Sequence, residues 1–432
     1  MGRGGFGGAR RPAGRLMTVR LDAVLGNVRV PASLVADPAR FGGRRDRDYL
    51  AGNLIVRGGS VVGMTQDGPA DIDLDGRLVT TPFVEPHCHL DKCFTIERLD
   101  FAGGRLLDAI AAQSADKSNW TYDDLRARAE RGIREMVASG TRLVRTHIDW
   151  EVDMRDADRP PLAWRVIGEL AGEWRGQITI QRAALLPIAA MADADYAQAI
   201  GRVIAQSGGV LGAFVFDQPE RVAGIRNMFG VAARHGLALD FHVDEGLSPE
   251  LDGLELIARE AIRIGHAGPV LCGHACNLAV IEQDVRRQRI ELTARAGLSV
   301  AALPSSNLYL QDRGRSIPRE RGLTAVAELL AAGVNVAFGT DNVQDAFCPV
   351  GTHDPKRTLS MGVLAAHLKP PLGDRLPLVM QNAAKALGQH SPMVDRSPAD
   401  ALMVWETGQV AELLSGTTHA CWQTLQDAVQ AP

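Results

Sequence analysis

Two histidines flank a cysteine in the stretch Thr81-Pro82-Phe83-Val84-Glu85-Pro86-His87-Cys88-His89-Leu90-Asp91-Lys92. In an extended segment residues i and i+2 point the same way, so His87 and His89 can aim both imidazoles at one point. Two convergent neutral imidazoles suit a first-row metal such as zinc or iron. The pair alone fits a surface loop equally well, so other ligands must come from elsewhere in the chain. The candidates are His147-Ile148-Asp149, Asp240-Phe241-His242-Val243-Asp244-Glu245, Gly273-His274 and Gly339-Thr340-Asp341-Asn342. His242 followed three residues later by Glu245 would set a proton-carrying carboxylate beside a metal-acidified water. Asp341 alone could be a helix N-cap; in company with the histidines it reads as a further ligand. His147 reads as a packed histidine behind the ligands.

Each of these groups closes a short apolar run. The first, Leu78–Val84, reads as a buried strand that ends at Pro86, which cannot continue a sheet ladder. Seven more follow: Thr141–Ile148, Ile178–Leu186, Val210–Phe216, Leu237–Val243, Val270–Gly273, Leu298–Leu303 and Val334–Gly339. Amphipathic stretches separate them, among them Tyr122–Ser139, Pro161–Trp174, Asp193–Gln206, Arg221–His235, Leu254–Ile264, Ala279–Ala296 and Gly322–Ala332. Eight strands with crossover helices over roughly 260 residues predict a parallel (β/α)8 barrel, whose strand ends converge on one mouth. A doubly wound open sheet is the alternative, but no Gly-x-Gly-x-x-Gly or P-loop follows any strand. Of eleven histidines, His87, His89, His147, His242 and His274 fall at strand ends. His235 and His266 read as helix C-terminal caps. His353, His367, His390 and His419 read as solvent-facing.

Residues 17–77 carry β-branched and apolar runs, Val19–Val30 and Tyr49–Met64, with Gly58-Gly59 as a hairpin turn and Pro38–Arg47 as a polar loop. Pro377–Leu387 reads as a helix with the proline in its first turn. Asp400–Trp405 reads as a late strand that rejoins the N-terminal β region. The expected division is a disordered Gly/Arg-rich tail over 1–16, a small β-sandwich from 17–77 plus 391–432, and a barrel over 78–390. Charge and composition are ordinary for a globular protein: net charge -4, 46% hydrophobic, 23% charged. They argue against a nucleic-acid or membrane surface. Six sparse cysteines argue against a disulfide framework and for a reducing cytoplasm. Cys88/Cys93 with Cys272/Cys276 as a four-thiolate zinc site is the less favoured reading; buried thiols are the other.

The ordered set of motifs resembles the amidohydrolase superfamily. Pro82–Leu90 (PFVEPHCHL), Val144–Asp149 (VRTHID), His242–Glu245 (HVDE), Pro304–Gln311 (PSSNLYLQ) and Phe338–Gly351 (FGTDNVQDAFCPVG) are similar to bacterial cytosine deaminases and to triazine-hydrolysing relatives of the N-isopropylammelide aminohydrolase kind. The resemblance spans most of 50–405. It implies His87, His89, His242 and Asp341 as metal ligands, Glu245 as proton shuttle, and His274 as the residue that orients and polarises the water or substrate. It also implies a barrel capped by a β-sandwich from both chain ends, and a homo-oligomer. Two-metal members carry a carboxylated lysine at the end of strand 4; Val210–Asp217 (VLGAFVFD) has none, so one Zn2+ or Fe2+ per chain is expected.

Departures bear on the substrate. Cytosine deaminases place a glutamine after strand 3, where Leu185-Leu186-Pro187-Ile188 puts Ile188; their Asp-Asp at strand 8 is Asp341-Asn342 here. Lys92 resembles the triazine-acting relatives and would contact substrate, or else form a structural salt bridge with Asp91 or Glu85. A substrate-facing cation would favour an acidic or oxo-rich ring over cytosine. The reading is a mononuclear aminohydrolase removing an amino or alkylamino group from a small nitrogen heterocycle, with Lys92, Ile188 and Asn342 at the substrate. Cyclic-amide hydrolysis and a catalytically inactive metal-binding barrel are the alternatives.

Overall fold

The computed structural model describes residues 22–100, 104–151, 159–390, 392–416 and 422–430. The expected tail over 1–16, His419 and Cys421 lie outside them. The central element is an eight-stranded parallel sheet: β1 (Phe83–Cys88), β2 (Thr141–Asp149), β3 (Thr179–Pro187), β4 (Val210–Val215), β5 (Leu239–Val243), β6 (Val270–His274), β7 (Ser299–Ala302) and β8 (Asn335–Phe338). Neighbours in sequence are neighbours in the sheet. Its first and last strands meet where Cys88 bridges Asp341 and the Asp341 N–H donates to the His87 carbonyl at 2.8 Å. Glu85 tightens this seam, its carboxylate accepting from the N–H groups of His87 and Thr340. The architecture is the (β/α)8 barrel that the strand count predicts.

The crossover helices follow local chemistry. Tyr122–Ser139 starts at Thr121, whose side chain accepts from the Asp124 N–H, and stops at left-handed Gly140. Ala194–Gln206 is capped by Asp193 in the same way. Helices Arg221–His235 and Gly253–Ile264 end on the left-handed glycines Gly236 and Gly265.

Both chain ends build sheets outside the barrel. Ala23–Pro31 pairs antiparallel with Tyr49–Arg57, which turns at Gly58-Gly59 into Ser60–Thr65. Met403–Trp405 lies between Val79–Thr80 and Trp422–Thr424.

Four elements differ from expectation. The run Leu78–Val84 is two strands: Val79–Thr80 pairs with Met403–Val404, and the barrel strand begins at Phe83. Pro86 does not end that strand, because a register shift between Glu85 and Cys88 takes it out of the ladder, so its missing N–H is not needed. Pro38–Arg47 is not a plain loop: Asp37 caps a helical turn, Pro38–Phe41, and Arg44–Asp46 adds an edge strand. Pro377 sits inside a 3-10 segment, Leu372–Val379, and the α-helix is Gln381–Ala386. Among the described residues no helix is long and apolar enough to cross a membrane.

Candidate metal centre and cavity

Side chains alternate across a strand, so each barrel strand sends every second residue inward. On β2 these are Arg145, His147 and Asp149; on β5 they are Asp240 and His242. Charged residues at such positions need partners, and they have them. Asp240 accepts from Arg145 Nη1 at 2.8 Å and faces His147 Nε2 at 2.9 Å, all three fully buried. Arg145 also donates to Gln181 Oε1. The His147 ring then packs against His87, centroids 4.0 Å apart.

Above this layer four donor atoms converge. His87 Nε2 and His89 Nε2 lie 3.1 and 3.2 Å from His242 Nε2, and Asp341 Oδ1 lies 3.5 and 3.2 Å from the His87 and His89 nitrogens. A tetrahedron with bonds of about 2 Å has edges roughly 1.6 times as long, so this spacing matches a zinc-type centre. The side chain of Asp341 is fully buried and neither of its oxygens has a hydrogen-bond partner. Burial and the neighbouring imidazoles hold His87 and His242 well below the usual histidine range, which leaves their lone pairs free to bind a cation. Burial pushes the Asp341 carboxyl up, but the neighbouring His89 and His274 outweigh it and hold it below the usual carboxylate range. The donor set therefore fits a divalent ion. His147 is near enough to His87, His89 and His242 to join such a set, and its Nε2 also lies 2.9 Å from Asp240 Oδ1.

The crowding is possible because two neighbours lack side chains. A Cβ at Gly273 would lie 2.7 Å from His87 Cε1, and one at Gly339 2.9 Å from His87 Cβ. The mouth also holds backbone strain: Asp244, His274, Ala275 and Asp341 are in the left-handed region at φ 52°, 71°, 50° and 58°.

His89, His242 and Asp341 floor a cavity of about 340 Å³. Glu245, His274, Asp341 and Asn342 line one side, Leu185, Pro187, Phe214 and Phe216 another, and Lys92, Gln113, Lys117 and Asp149 a third. Burial raises Glu245 to about 7, despite the opposing pull of His274. His274 Nδ1 lies 3.1 Å from Asn307 Oδ1 and 3.6 Å from Glu245 Oε1. Asn307 Oδ1 is an acceptor, so the proton sits on Nδ1 and Nε2 is left without a partner. Asn342 donates to Asp345 Oδ2 at 2.7 Å.

Several sequence expectations change here. Lys92 is buried and donates to Asp149 Oδ1 at 2.5 Å, with neither Asp91 nor Glu85 as its hydrogen-bond partner. Burial favours the neutral amine, but Asp149 and Asp91 outweigh it, so Lys92 stays charged and Asp149 is held below the usual carboxylate range. Lys117 reaches the other oxygen of Asp149 at 3.2 Å. The counter-anion that Lys92 needs is thus protein, and no anionic ring is required. Ile188 is fully buried and does not line the cavity; it sits one residue out of phase with Leu185 and Pro187 and packs against Gly224. His353 is buried beside Phe94 rather than solvent-facing. Among the described residues, no group able to hold a metal includes a cysteine. The sequence reading assigned no role to Arg145, Asp240, Asn307 or Gln113. Arg145-x-His147-x-Asp149 and Asp240-x-His242, charged at a period of two inside strands, were the available signal for the first two. Gln113 and Asn307 lie on helices and had none.

A family model described as the amidohydrolase family matches residues 104–392. A pterin deaminase from Rhizobium rhizogenes is 34% identical over 404 residues, 91% of this chain and 90% of that one. An N-isopropylammelide isopropyl amidohydrolase from Pseudomonas sp. is 24% identical, covering 71% of this chain and 72% of that one. Among solved structures, a 5-methylcytosine deaminase from Klebsiella pneumoniae bound to 5-fluorocytosine superposes with a TM-score of 0.77 at 27% identity, covering 93% of this chain and 96% of that one.

Proposed function

The chain belongs to the amidohydrolase family, and from that premise we propose that it is a hydrolytic deaminase of an amino- and oxo-substituted fused nitrogen heterocycle of the pterin type, with one divalent ion held by His87, His89, His242 and Asp341. The observation that carries the reading is the convergence of those four donors at 3.1–3.5 Å beneath a cavity flanked by Glu245. The pterin deaminase relative supports the ring class. So do the flat walls, where Trp150, Phe214, Phe216 and Phe347 could cover the faces of a bicyclic ring.

The ion, when bound, supplies Lewis acidity and an acidified water. The chain's own residues supply proton handling and orientation. Glu245, poised to about 7 by burial, takes one proton of the attacking water and delivers it to a ring nitrogen, then takes the second from the hydroxyl so formed on the ring carbon and delivers it to the leaving amine. His274 is fixed by Asn307, so its Nε2 can accept from the water or the tetrahedral centre. Asp341 holds its carboxylate at the same point and balances charge there. Products are the oxo-heterocycle and ammonia, or an amine. Lys92 and Asn342 take part as wall residues, tied to Asp149 and Asp345.

Ammonia release from a panel of amino-oxopteridines, aminopyrimidines and aminotriazines tests the reading. Turnover of a pteridine above cytosine is expected. No ammonia from any member of the panel by metal-loaded protein would overturn it. The barrel's place in the cytoplasm and its assembly into a homo-oligomer remain part of this proposal. The mononuclear stoichiometry does too; it is supported by the lack of a lysine on β4.

A further inference from the structure

We propose that Asp244 is the positioning residue for Glu245: its carboxylate, tied to the first turn of helix Gly253–Ile264, turns the chain after β5 so that the Glu245 side chain enters the cavity. The proposal rests on the deaminase reading above and adds how its proton carrier is aimed.

Strand alternation alone would aim these residues the other way. Asp240 and His242 point into the barrel from β5. With a period of two, position 244 would follow them inward and position 245 would face the helix layer. The structure shows the reverse. Asp244, the first residue after β5, is left-handed at φ 52°, which breaks the alternation there. Its fully buried side chain faces the helix layer, where Oδ1 accepts from the Gly253 N–H at 2.9 Å and Oδ2 from the Leu254 N–H at 3.1 Å. Glu245 lines the cavity instead, 3.6 Å from His274 Nδ1.

The tie to the helix is specific. The first N–H groups of a helix have no partner within it, and a carboxylate suits that end of the helix dipole. Asp252, which directly precedes this helix, makes no such cap; its carboxylate accepts from Arg221. Asp244 caps the helix in its place, from across the loop. Gly253 permits the approach, since a Cβ there would lie 2.9 Å from Asp244 Oδ1. The backbone of Asp244 is held as well. Its N–H donates to the Val215 carbonyl at the end of β4 at 3.3 Å, and its carbonyl accepts from the N–H groups of Cys276 at 3.0 Å and Gly246 at 2.9 Å. A non-glycine residue persists in the left-handed region where its surroundings hold it there. Among the described residues no hydrogen bond holds the Glu245 carboxylate itself, so its aim comes from the backbone that Asp244 fixes.

The experiment measures kcat, KM and bound metal per chain, with the panel member turned over fastest, for wild type, Asp244→Asn and Asp244→Ala, each also in a Glu245→Gln background. Asparagine keeps the size and tolerates the left-handed backbone, but has one acceptor oxygen in place of two. Asp244→Asn should lower kcat by about 10-fold and Asp244→Ala by about 100-fold, with metal content unchanged and KM within about 2-fold. In the Glu245→Gln background either change should alter kcat by less than about 2-fold, because no carboxylate remains to be aimed. Asp244→Asn stands as the test if the alanine variant does not fold. Equal losses in both backgrounds, a loss carried by KM or by metal content, or no loss in either variant would overturn the assignment while leaving the deaminase reading intact. No ammonia from any member of the panel in wild type would overturn both.

Discussion

Replacing Lys92 by methionine separates a structural cation from a substrate anchor. The side chain is almost fully buried, 5% exposed, against an Asp149 side chain that is 20% exposed. Removing one member of a buried pair typically costs about 3–5 kcal/mol, because the partner charge is left without compensation. Here Lys117 Nζ stays 3.2 Å from Asp149 Oδ2 and part of the carboxylate sees solvent. The loss should therefore be about 2–3 kcal/mol, below the usual range for a fully isolated charge. Methionine keeps the aliphatic stem, so packing changes little. Asp149→Asn on top of Lys92→Met should recover part of the loss, with a coupling of about 2 kcal/mol between the two sites. The sign with pH follows from Asp149. Its folded pKa is depressed, so the stabilisation is present above the unfolded carboxylate value of about 4 and fades as pH falls below it. Urea unfolding of the metal-loaded protein measures the stability, and kcat/KM for one ionised and one neutral ring measures the site. A variant with unchanged stability and a raised KM for the ionised ring alone would refute the argument and restore Lys92 as a substrate anchor.

Purified protein should carry about one divalent ion per chain by elemental analysis, and His242→Ala should lose most of it; two tightly held ions would reject the mononuclear centre. Glu245→Gln should keep metal and fold while turnover falls by about 10²-fold or more. Because the carboxylate form is the one that accepts the water's proton, wild-type kcat/KM should fall as pH drops through about 7, and that limb should vanish in the glutamine variant. Ile188→Val should cost about 1 kcal/mol as a core truncation and leave substrate ranking unchanged; an altered ranking would put position 188 back in the pocket.

The barrel was legible because its signals are local and repeat. Eight apolar runs alternate with amphipathic helices, and the polar residues that end them fall where a barrel gathers its chemistry. Helix Tyr122–Ser139 could be bounded from its own residues, since Thr121 and Gly140 are strong start and stop signals. Pro86 misled because a bulge that removes a residue from a ladder leaves no mark in composition. Ile188 misled because a one-residue change of phase exchanges inside for outside, and matching a motif does not fix the phase. His353 carries no periodic signal, since its burial comes from contact with Phe94 and Gly132, more than two hundred residues away in sequence. Lys92 was placed beside the mouth correctly in space, but its partner comes from the end of the neighbouring strand β2. Side-chain pairing between strands is decided by register, which the sequence of one strand does not contain.

The charges around the site say which kind of ring belongs there. Arg145 and Asp240 close on one another beneath the donors. Lys92 and Lys117 share Asp149, with Asp91 adding to the field at Lys92. Burial brings Glu245 and Asp345 to about 7, so each can be neutral or ionised at little cost. What remains uncompensated is Asp341, a buried carboxylate among imidazoles that are held neutral. A divalent ion balances that carboxylate and one more negative charge, which an ionised Glu245 or a hydroxide can provide. An anionic ring would add a second negative charge to a floor already neutral, with no free cation among the described cavity-lining residues to receive it. A neutral amino-oxo ring adds none.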